Sequence, residues 1–482
     1  MVQSVDELRD NMKHEKHTIF PIALNLRHGK AFDLFTLWFG GNMQLLTITI
    51  GIIATAKSGF GLSLSWAMVA LLIGNLVGAI FMALHSAQGS YLGISQMQQS
   101  RAQFGSYGAL PILILVVIMY IGYFASLVDV GEQAIASIMP NMGKYGGDFV
   151  IVGISMLAFV AAYIGYDMIH RYAKFITVFG GVSLLVLLLS GIGDSNFASI
   201  HVVNGSYSMV GFFGVLGMAA IWQISYAPYV SDYSRYLPKD TGPKAAFWSS
   251  YLGATLGALI AMAVGSLIGI TSLSSVSGGF GAFSVLFGVT GIIFIVIWSV
   301  SGVEAAAMQL YCSSLTSISI LQTFFQGLKT SRIYRFIVIF TLLIVSTALA
   351  LFASAKFMGY FMNFIYFLLY VLVPWSIINL VDYYLIHDGQ YELDSFYMKG
   401  GEFGYVNKKA AIAYTLGFIL EIPFMSNAFY TGPIAKMIGG ADISWLVASP
   451  FIAAFYYVIS KSDGVSTHRR LSSIFKPRST IN

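Results

Sequence analysis

Glu304 is the residue on which chemistry is most easily placed. It stands alone in Val300-Ser301-Gly302-Val303-Glu304-Ala305-Ala306-Ala307, within a long apolar run. An ionisable group in the middle of a bilayer costs roughly 3 kcal/mol or more unless it is neutral, paired or ligating an ion, so it is a functional candidate by default. A carboxyl group there can hand on a proton or hold a small cation. Two other apolar runs are interrupted. Leu37-Trp38-Phe39-Gly40-Gly41-Asn42-Met43 places two glycines and an asparagine, poor helix formers, at mid-segment. Trp222-Gln223-Ile224-Ser225-Tyr226-Ala227-Pro228-Tyr229 places a proline where it removes a backbone hydrogen bond and clashes with the preceding turn. Broken helices at matching positions in two halves of a chain point to the binding site of a secondary transporter.

These residues have to be held by membrane-spanning helices. The 482-residue chain is 57% hydrophobic and 10% charged, with mean hydropathy +0.76. A soluble domain carries about 25% charged residues. Apolar runs long enough to cross a bilayer, about 20 residues each, recur from end to end. Twelve are expected, near 34–56, 65–86, 109–138, 147–166, 171–193, 209–232, 244–271, 281–310, 333–353, 359–386, 408–426 and 440–460. The two broken segments are the first and the sixth. The third, eighth and tenth look long enough to be tilted. With the N-terminus inside and the spans alternating, 22 of the 26 basic residues fall on the cytoplasmic side; only Lys57, Lys144, Lys356 and Lys436 fall outside. That asymmetry places both termini in the cytoplasm of a cell-membrane protein. The chain then divides into a tail over 1–31, five-helix units over 32–193 and 209–386, two further helices within 408–460, and a tail over 461–482. No soluble domain and no cleavable signal peptide are expected. The single cysteine, Cys312, excludes an intrachain disulfide. The pI near 8.9 comes from basic residues scattered over short loops, which argues topology and not nucleic acid.

Tyr226-Ala227-Pro228-Tyr229-Val230-Ser231-Asp232-Tyr233-Ser234-Arg235-Tyr236-Leu237-Pro238 resembles the sixth-helix signature of the nucleobase–cation symporter-1 family, the cytosine and purine permeases. Trp38-Phe39-Gly40-Gly41-Asn42 resembles its first-helix break, and Ile73-Gly74-Asn75 its second-helix motif. Pro374 and Asp382-Tyr383-Tyr384-Leu385, followed by Gly389 and Tyr391, resemble the end of its tenth helix. The resemblance implies an all-α membrane protein with the LeuT-type fold: two inverted five-helix repeats plus two extra helices. It also implies a secondary transporter that imports a nucleobase or related small nitrogen heterocycle with a cation, needing no cofactor and no obligate protein partner.

A flat heterocycle needs aromatic faces to stack on and polar partners for its edge. The resemblance assigns these to Phe39 and the backbone of Gly40 and Gly41; to Tyr120 and Tyr123; to Trp222, Gln223 and Tyr226; and to Gln309, near the place of a family asparagine. Trp222 and Gln223 compete for one stacking position. For the ion, the aligned groups are the carbonyls of Phe35 and Trp38 and the positions Ser301, Glu304 and Ala305. A carboxylate stands where sodium-coupled members have hydroxyls, so H⁺ is preferred over Na⁺. Asp129 and Glu132 are expected to line the entry path or to pair with Lys144, and Asp232 and Arg235 to stabilise the inner end of the sixth helix. His170 and Arg171 are expected in a cytoplasmic loop. Two other functions remain open: a LeuT-type carrier of an amino acid or amine, and a membrane-embedded enzyme. The enzyme is disfavoured because the histidines, such as His14, His17, His28 and His468, lie mostly in tails and loops without metal-ligand spacing.

Overall fold

The computed structural model describes residues 19–191, 205–271, 279–325, 331–353 and 357–461. The expected tails over 1–31 and 461–482 lie largely outside the described residues. The regular elements are helices, with two isolated bridges, Leu62 to Ser206 and Ser426 to Thr431, among the described residues. In order they are α1 (Ala31–Asn42), α2 (Leu45–Thr55), α3 (Leu64–Leu92), α4 (Gln96–Phe104), α5 (Leu110–Ile138), α6 (Gly143–Ile164), α7 (Tyr166–Gly191), α8 (Met209–Ile224) and α9 (Val230–Ser234). They continue with α10 (Gly242–Gly269), α11 (Gly281–Phe324), α12 (Arg332–Ala353), α13 (Phe357–Val381), α14 (Lys408–Glu421), α15 (Pro433–Met437) and α16 (Ser444–Ser460). Seven helices among the described residues are long and apolar enough to cross a membrane, or eight if α1 and α2 count as one bent span. Large apolar side chains remain exposed along them, among them Ile73 and Ile80 on α3, Leu157 and Val160 on α6, and Ile337 and Ile344 on α12. Such faces suit a hydrocarbon solvent.

The first segment is discontinuous, but not where its glycines suggested. α1 runs through Gly40 and Gly41 to Asn42, and the chain turns at Met43 and Gln44 before α2, with a bend of 56°. Gln44 restarts the helix by accepting from the Leu46 amide at 2.7 Å. The Gly40 carbonyl, expected to be free, accepts from the Met43 amide at 2.8 Å. The glycine serves close packing instead, since a Cβ on Gly40 would lie 2.9 Å from the Ala173 carbonyl oxygen. The sixth segment breaks where expected, between Ile224 and Val230.

Three other expectations change. α11 extends to Phe324 and bends at Gly288, whose φ of 51° is left-handed. His170 and Arg171 lie inside α7, not in a loop, because only Gly165 separates α6 from α7. The segment after α3 folds into α4, a buried helix rich in glutamine. Its Arg101 donates to the Phe396 carbonyl at 2.9 Å and to the Ser319 carbonyl at 2.7 Å.

Glycine brings the helices of the site together. α10 carries Gly253, Gly257, Gly265 and Gly269 at multiples of four, one face of the helix, turned to α1 and α2. A Cβ on Gly253 would lie 2.5 Å from the Phe35 carbonyl oxygen, and one on Gly257 2.6 Å from that of Phe39 and 3.0 Å from the Asn42 Cβ. On α3, Gly74 and Gly78 meet the carbonyls of Leu216 and Ala220 on α8 in the same way. Small residues at such seams are how membrane helices gain dispersion contact when no hydrophobic effect drives association.

Candidate functional site

Where the two breaks face each other there is a small cavity. Trp38, Gly41 and Gln44 line it from the first segment, and Tyr123 and Leu127 from α5. Trp222, Ser225, Tyr226 and Tyr229 line it from the second break, and Ala305, Met308 and Gln309 from α11. Gln44, Ser225, Tyr226 and Tyr229 come from the two interruptions, while α5 and α11 are continuous where they line it.

The walls are aromatic. Trp38 lies 5.3 Å from Tyr226 and 5.9 Å from Tyr229, ring centre to ring centre. Trp222 meets Tyr123 edge-on at 5.9 Å and Tyr226 edge-on at 6.1 Å. Polar atoms are interspersed, from the tyrosines and indoles and from Gln44, Ser225 and Gln309. Gln309 donates through its amide nitrogen to the Tyr229 hydroxyl at 3.1 Å, and its amide oxygen has no protein partner. The Trp38 indole N–H is buried and also without a protein partner. No acidic or basic side chain is among the lining residues. A largely apolar chamber with a few convergent polar atoms is the usual form of a small-molecule site.

Of the residues expected from sequence, Trp38, Gly41, Tyr123, Trp222, Tyr226, Ala305 and Gln309 come together here. Trp222 and Gln223 are resolved: Trp222 faces the cavity, and Gln223 turns away to donate to Asn75 Oδ1 at 2.7 Å and the Ala254 carbonyl at 3.2 Å. Tyr120 does not line the cavity; its hydroxyl donates to the Pro228 carbonyl at 3.1 Å and so supports the second break. Phe39 stacks on Phe35 at 5.5 Å, away from the cavity, and Gly40 packs against α7. Ser301 and Glu304 are fully buried on α11, one turn and one residue before Ala305, and neither the serine hydroxyl nor the two carboxyl oxygens have a protein partner. Asp129 is buried, with one carboxyl oxygen accepting from Gln133 at 2.9 Å, and no ion pair joins it or Glu132 to Lys144 among the described residues. Asp232 accepts from the Gln96 amide at 2.8 Å and stays clear of the cavity.

Sequence reasoning missed Gln44, Leu127, Ser225, Tyr229, Met308 and, behind the wall, Asn42. Tyr229 lay inside the quoted signature, one turn after Tyr226 and Ser225, and that spacing was the available signal. Below the cavity the wall continues toward the expected cytoplasmic end. Trp38 meets Tyr233 at 5.7 Å, and Tyr166 stacks on Tyr236 at 3.9 Å. His28 closes the stack with its ring 5.7 Å from Tyr236 and its Nε2 3.7 Å from Asp167.

A family model described as permease for cytosine/purines, uracil, thiamine, allantoin matches residues 21–448. The permease YxlA of Bacillus subtilis is 39% identical over 93% of this chain and 96% of its own length. The purine-cytosine permease fcyB of Emericella nidulans is 27% identical over 89% of this chain and 84% of its own. Among solved structures, Mhp1, a nucleobase-cation-symport-1 family transporter, superposes with a TM-score of 0.71 at 17% identity, covering 94% of this chain and 96% of that one. A Na⁺-coupled sialic acid symporter superposes with a TM-score of 0.60 at 12% identity over 94% and 92% of the two chains. These two likenesses show a shared fold.

Proposed function

This chain belongs to the family of permeases for cytosine/purines, uracil, thiamine and allantoin, and from that premise we propose that it imports a nucleobase or related nitrogen heterocycle by symport with a cation, H⁺ ahead of Na⁺. It is a multi-pass membrane transporter of nucleobase-like substrates and not an enzyme. The observation that carries the finer reading is the aromatic cavity between two broken helices. Trp38, Tyr123, Trp222, Tyr226 and Tyr229 offer faces and edges to a flat ring, and Gln309 and the Trp38 N–H offer polar atoms to its rim. The bromovinylhydantoin bound in Mhp1 is such a ring. An amino acid or amine would need a counter-charge at the site, and the lining residues hold none.

The supporting architecture is a twelve-span chain with both termini in the cytoplasm of a cell membrane. Five-helix repeats occupy 32–193 and 209–386, and two further helices lie within 408–460. Glu304, with Ser301 and the carbonyls of Phe35 and Trp38, is the coupling group. A buried carboxyl group without a protein partner, one residue from a cavity-lining position, is suited to hold the ion that travels with the substrate. The test is a thermal-shift screen of purified protein against cytosine, hypoxanthine, uracil, allantoin and a set of amino acids, since a ligand of the folded state raises its stability by mass action. Uptake into proteoliposomes then follows under imposed pH or Na⁺ gradients. Stabilisation by a heterocycle and accumulation driven by one gradient are expected. Stabilisation by amino acids alone, or uptake indifferent to both gradients, would refute the reading.

A further inference from the structure

Asn42 is the last residue of α1, is fully buried, and does not itself line the cavity. Its side chain nevertheless makes three hydrogen bonds that meet at the site. Its Nδ2 donates to the Trp38 carbonyl one turn back at 2.7 Å. Its Oδ1 accepts from the Trp222 indole N–H at 2.8 Å and from the Tyr226 hydroxyl at 3.0 Å. The amide orientation follows from chemistry, because an indole N–H can only donate and the atom it meets must be oxygen. Both lone pairs of that oxygen are then used, by Trp222 from the last turn of α8 and by Tyr226 from the second break itself.

The rings so held form a corner. Trp222 and Tyr226 lie at 82° to each other, 6.1 Å apart. A flat ligand stacked on one ring meets the edge of the other, so the corner angle sets which ring shapes fit. Packing against Tyr123 and Trp38 already restricts the two rings, and a single acceptor shared by both adds a directional restraint that couples them. Asn42 is itself held from behind by Gly257 of α10, where a Cβ would sit 3.0 Å from the Asn42 Cβ.

We propose that Asn42 is a positioning residue for transport: it fixes the Trp222–Tyr226 corner against which the substrate stacks, and it ties the two helix breaks so that they move together. The inference rests on the cavity being the heterocycle site. Losing the shared acceptor leaves two buried donors unpaired and the corner loose.

The experiment measures equilibrium binding of cytosine, hypoxanthine, uracil and allantoin to purified full-length protein, together with ligand-free thermal stability and the KM and maximal rate of uptake. Asn42→Ala is expected to weaken binding roughly tenfold or more, with the loss in uptake falling mainly on KM. Tyr226→Phe and Trp222→Phe each keep a ring and remove one bond to Asn42, so each should weaken binding several-fold. In a double-mutant cycle, Tyr226→Phe should add little to Asn42→Ala, which has already removed the acceptor of its hydroxyl. If Asn42→Ala does not fold, the two phenylalanine variants decide alone. A merely structural Asn42 would lower ligand-free stability and leave affinity unchanged. That result, fully additive effects in the cycle, or phenylalanine variants that bind like wild type would each overturn the proposal. Wild-type protein that binds none of the four heterocycles would instead sink the reading of the cavity.

Discussion

Replacing Tyr123 by alanine tests the site from a side on which no helix is broken. The ring is 4% exposed and meets Trp222 edge-on at 5.9 Å and Phe364 edge-on at 5.2 Å. Each edge-to-face pair is worth about 0.5–1.5 kcal/mol beyond burial, so the substitution removes about 1–3 kcal/mol of ring contact. Deleting a buried aromatic side chain costs the folded state about 3–5 kcal/mol in total. A bound heterocycle loses one wall, and Trp222 loses a neighbour that holds it. Binding should therefore weaken by more than about 1 kcal/mol, roughly fivefold or more. Tyr123→Phe keeps both edge contacts and should bind within about threefold of wild type, because what it removes is at most a modest polar contact. The two variants are compared by thermal unfolding without ligand and by equilibrium binding of the tightest-binding heterocycle. A folded Tyr123→Ala protein with wild-type affinity would refute the reasoning and move the site away from α5.

Glu304→Gln keeps shape and an amide but cannot release a proton. If H⁺ is the coupled ion, the variant should still exchange substrate yet lose accumulation driven by a pH gradient; if Na⁺ is, it should need far more external sodium than wild type. Accumulation like wild type, with the same ion dependence, would make Glu304 a packing residue only. Gly257→Ala forces a methyl to 2.6 Å from a backbone oxygen, an overpacking expected to cost about 1–3 kcal/mol in thermal or chemical unfolding; a neutral variant would show that α10 and α1 separate easily. The hydrogen bond to Asp167 holds the His28 imidazole above its ordinary value, so its contribution is fully present below about pH 6.5 and is lost as pH rises through the raised folded value. The stability difference between wild type and His28→Gln should thus shrink with rising pH, and a difference that grows would reverse the assignment.

The second break was legible because it is a violation of helix chemistry written in residue types. Pro228 marked its own break. Gly40 and Gly41 marked close approach instead, and the turn fell three residues later, since a glycine in a helix reads alike whether it ends the helix or admits a neighbour. Aromatic residues near the breaks were visible, but their direction was not. Trp222 and Gln223 differ by 100° around a helix, and only Asn75 and Ala254 show why Gln223 faces inward to the bundle. α4 was unreadable for a related reason. Polarity in Gln96, Gln98, Gln99 and Gln103 looks like solvent exposure until their partners are known: Ser231 for Gln96, the Phe396 and Ile94 carbonyls for Gln98 and Gln99, and Asn379 for Gln103, as far as 298 positions away. Glu304 stood out because nothing near it in sequence shares its charge, whereas Asn42 was hidden inside a motif already explained as a helix breaker.

The glycine seams of α3 and α10 have a mechanical consequence. Where backbone lies against backbone there is no layer of long side chains to shear, and no rotamers through which one helix could creep past another. α10 is joined in this way to α1 and α2, and α3 to α8, so within each set one helix resists sliding on its neighbour. Tyr123 and Gln309 reach the cavity from α5 and α11, which meet these helices through larger and softer side chains such as Met308. The cavity thus lies where backbone contact gives way to side chains that can change rotamer.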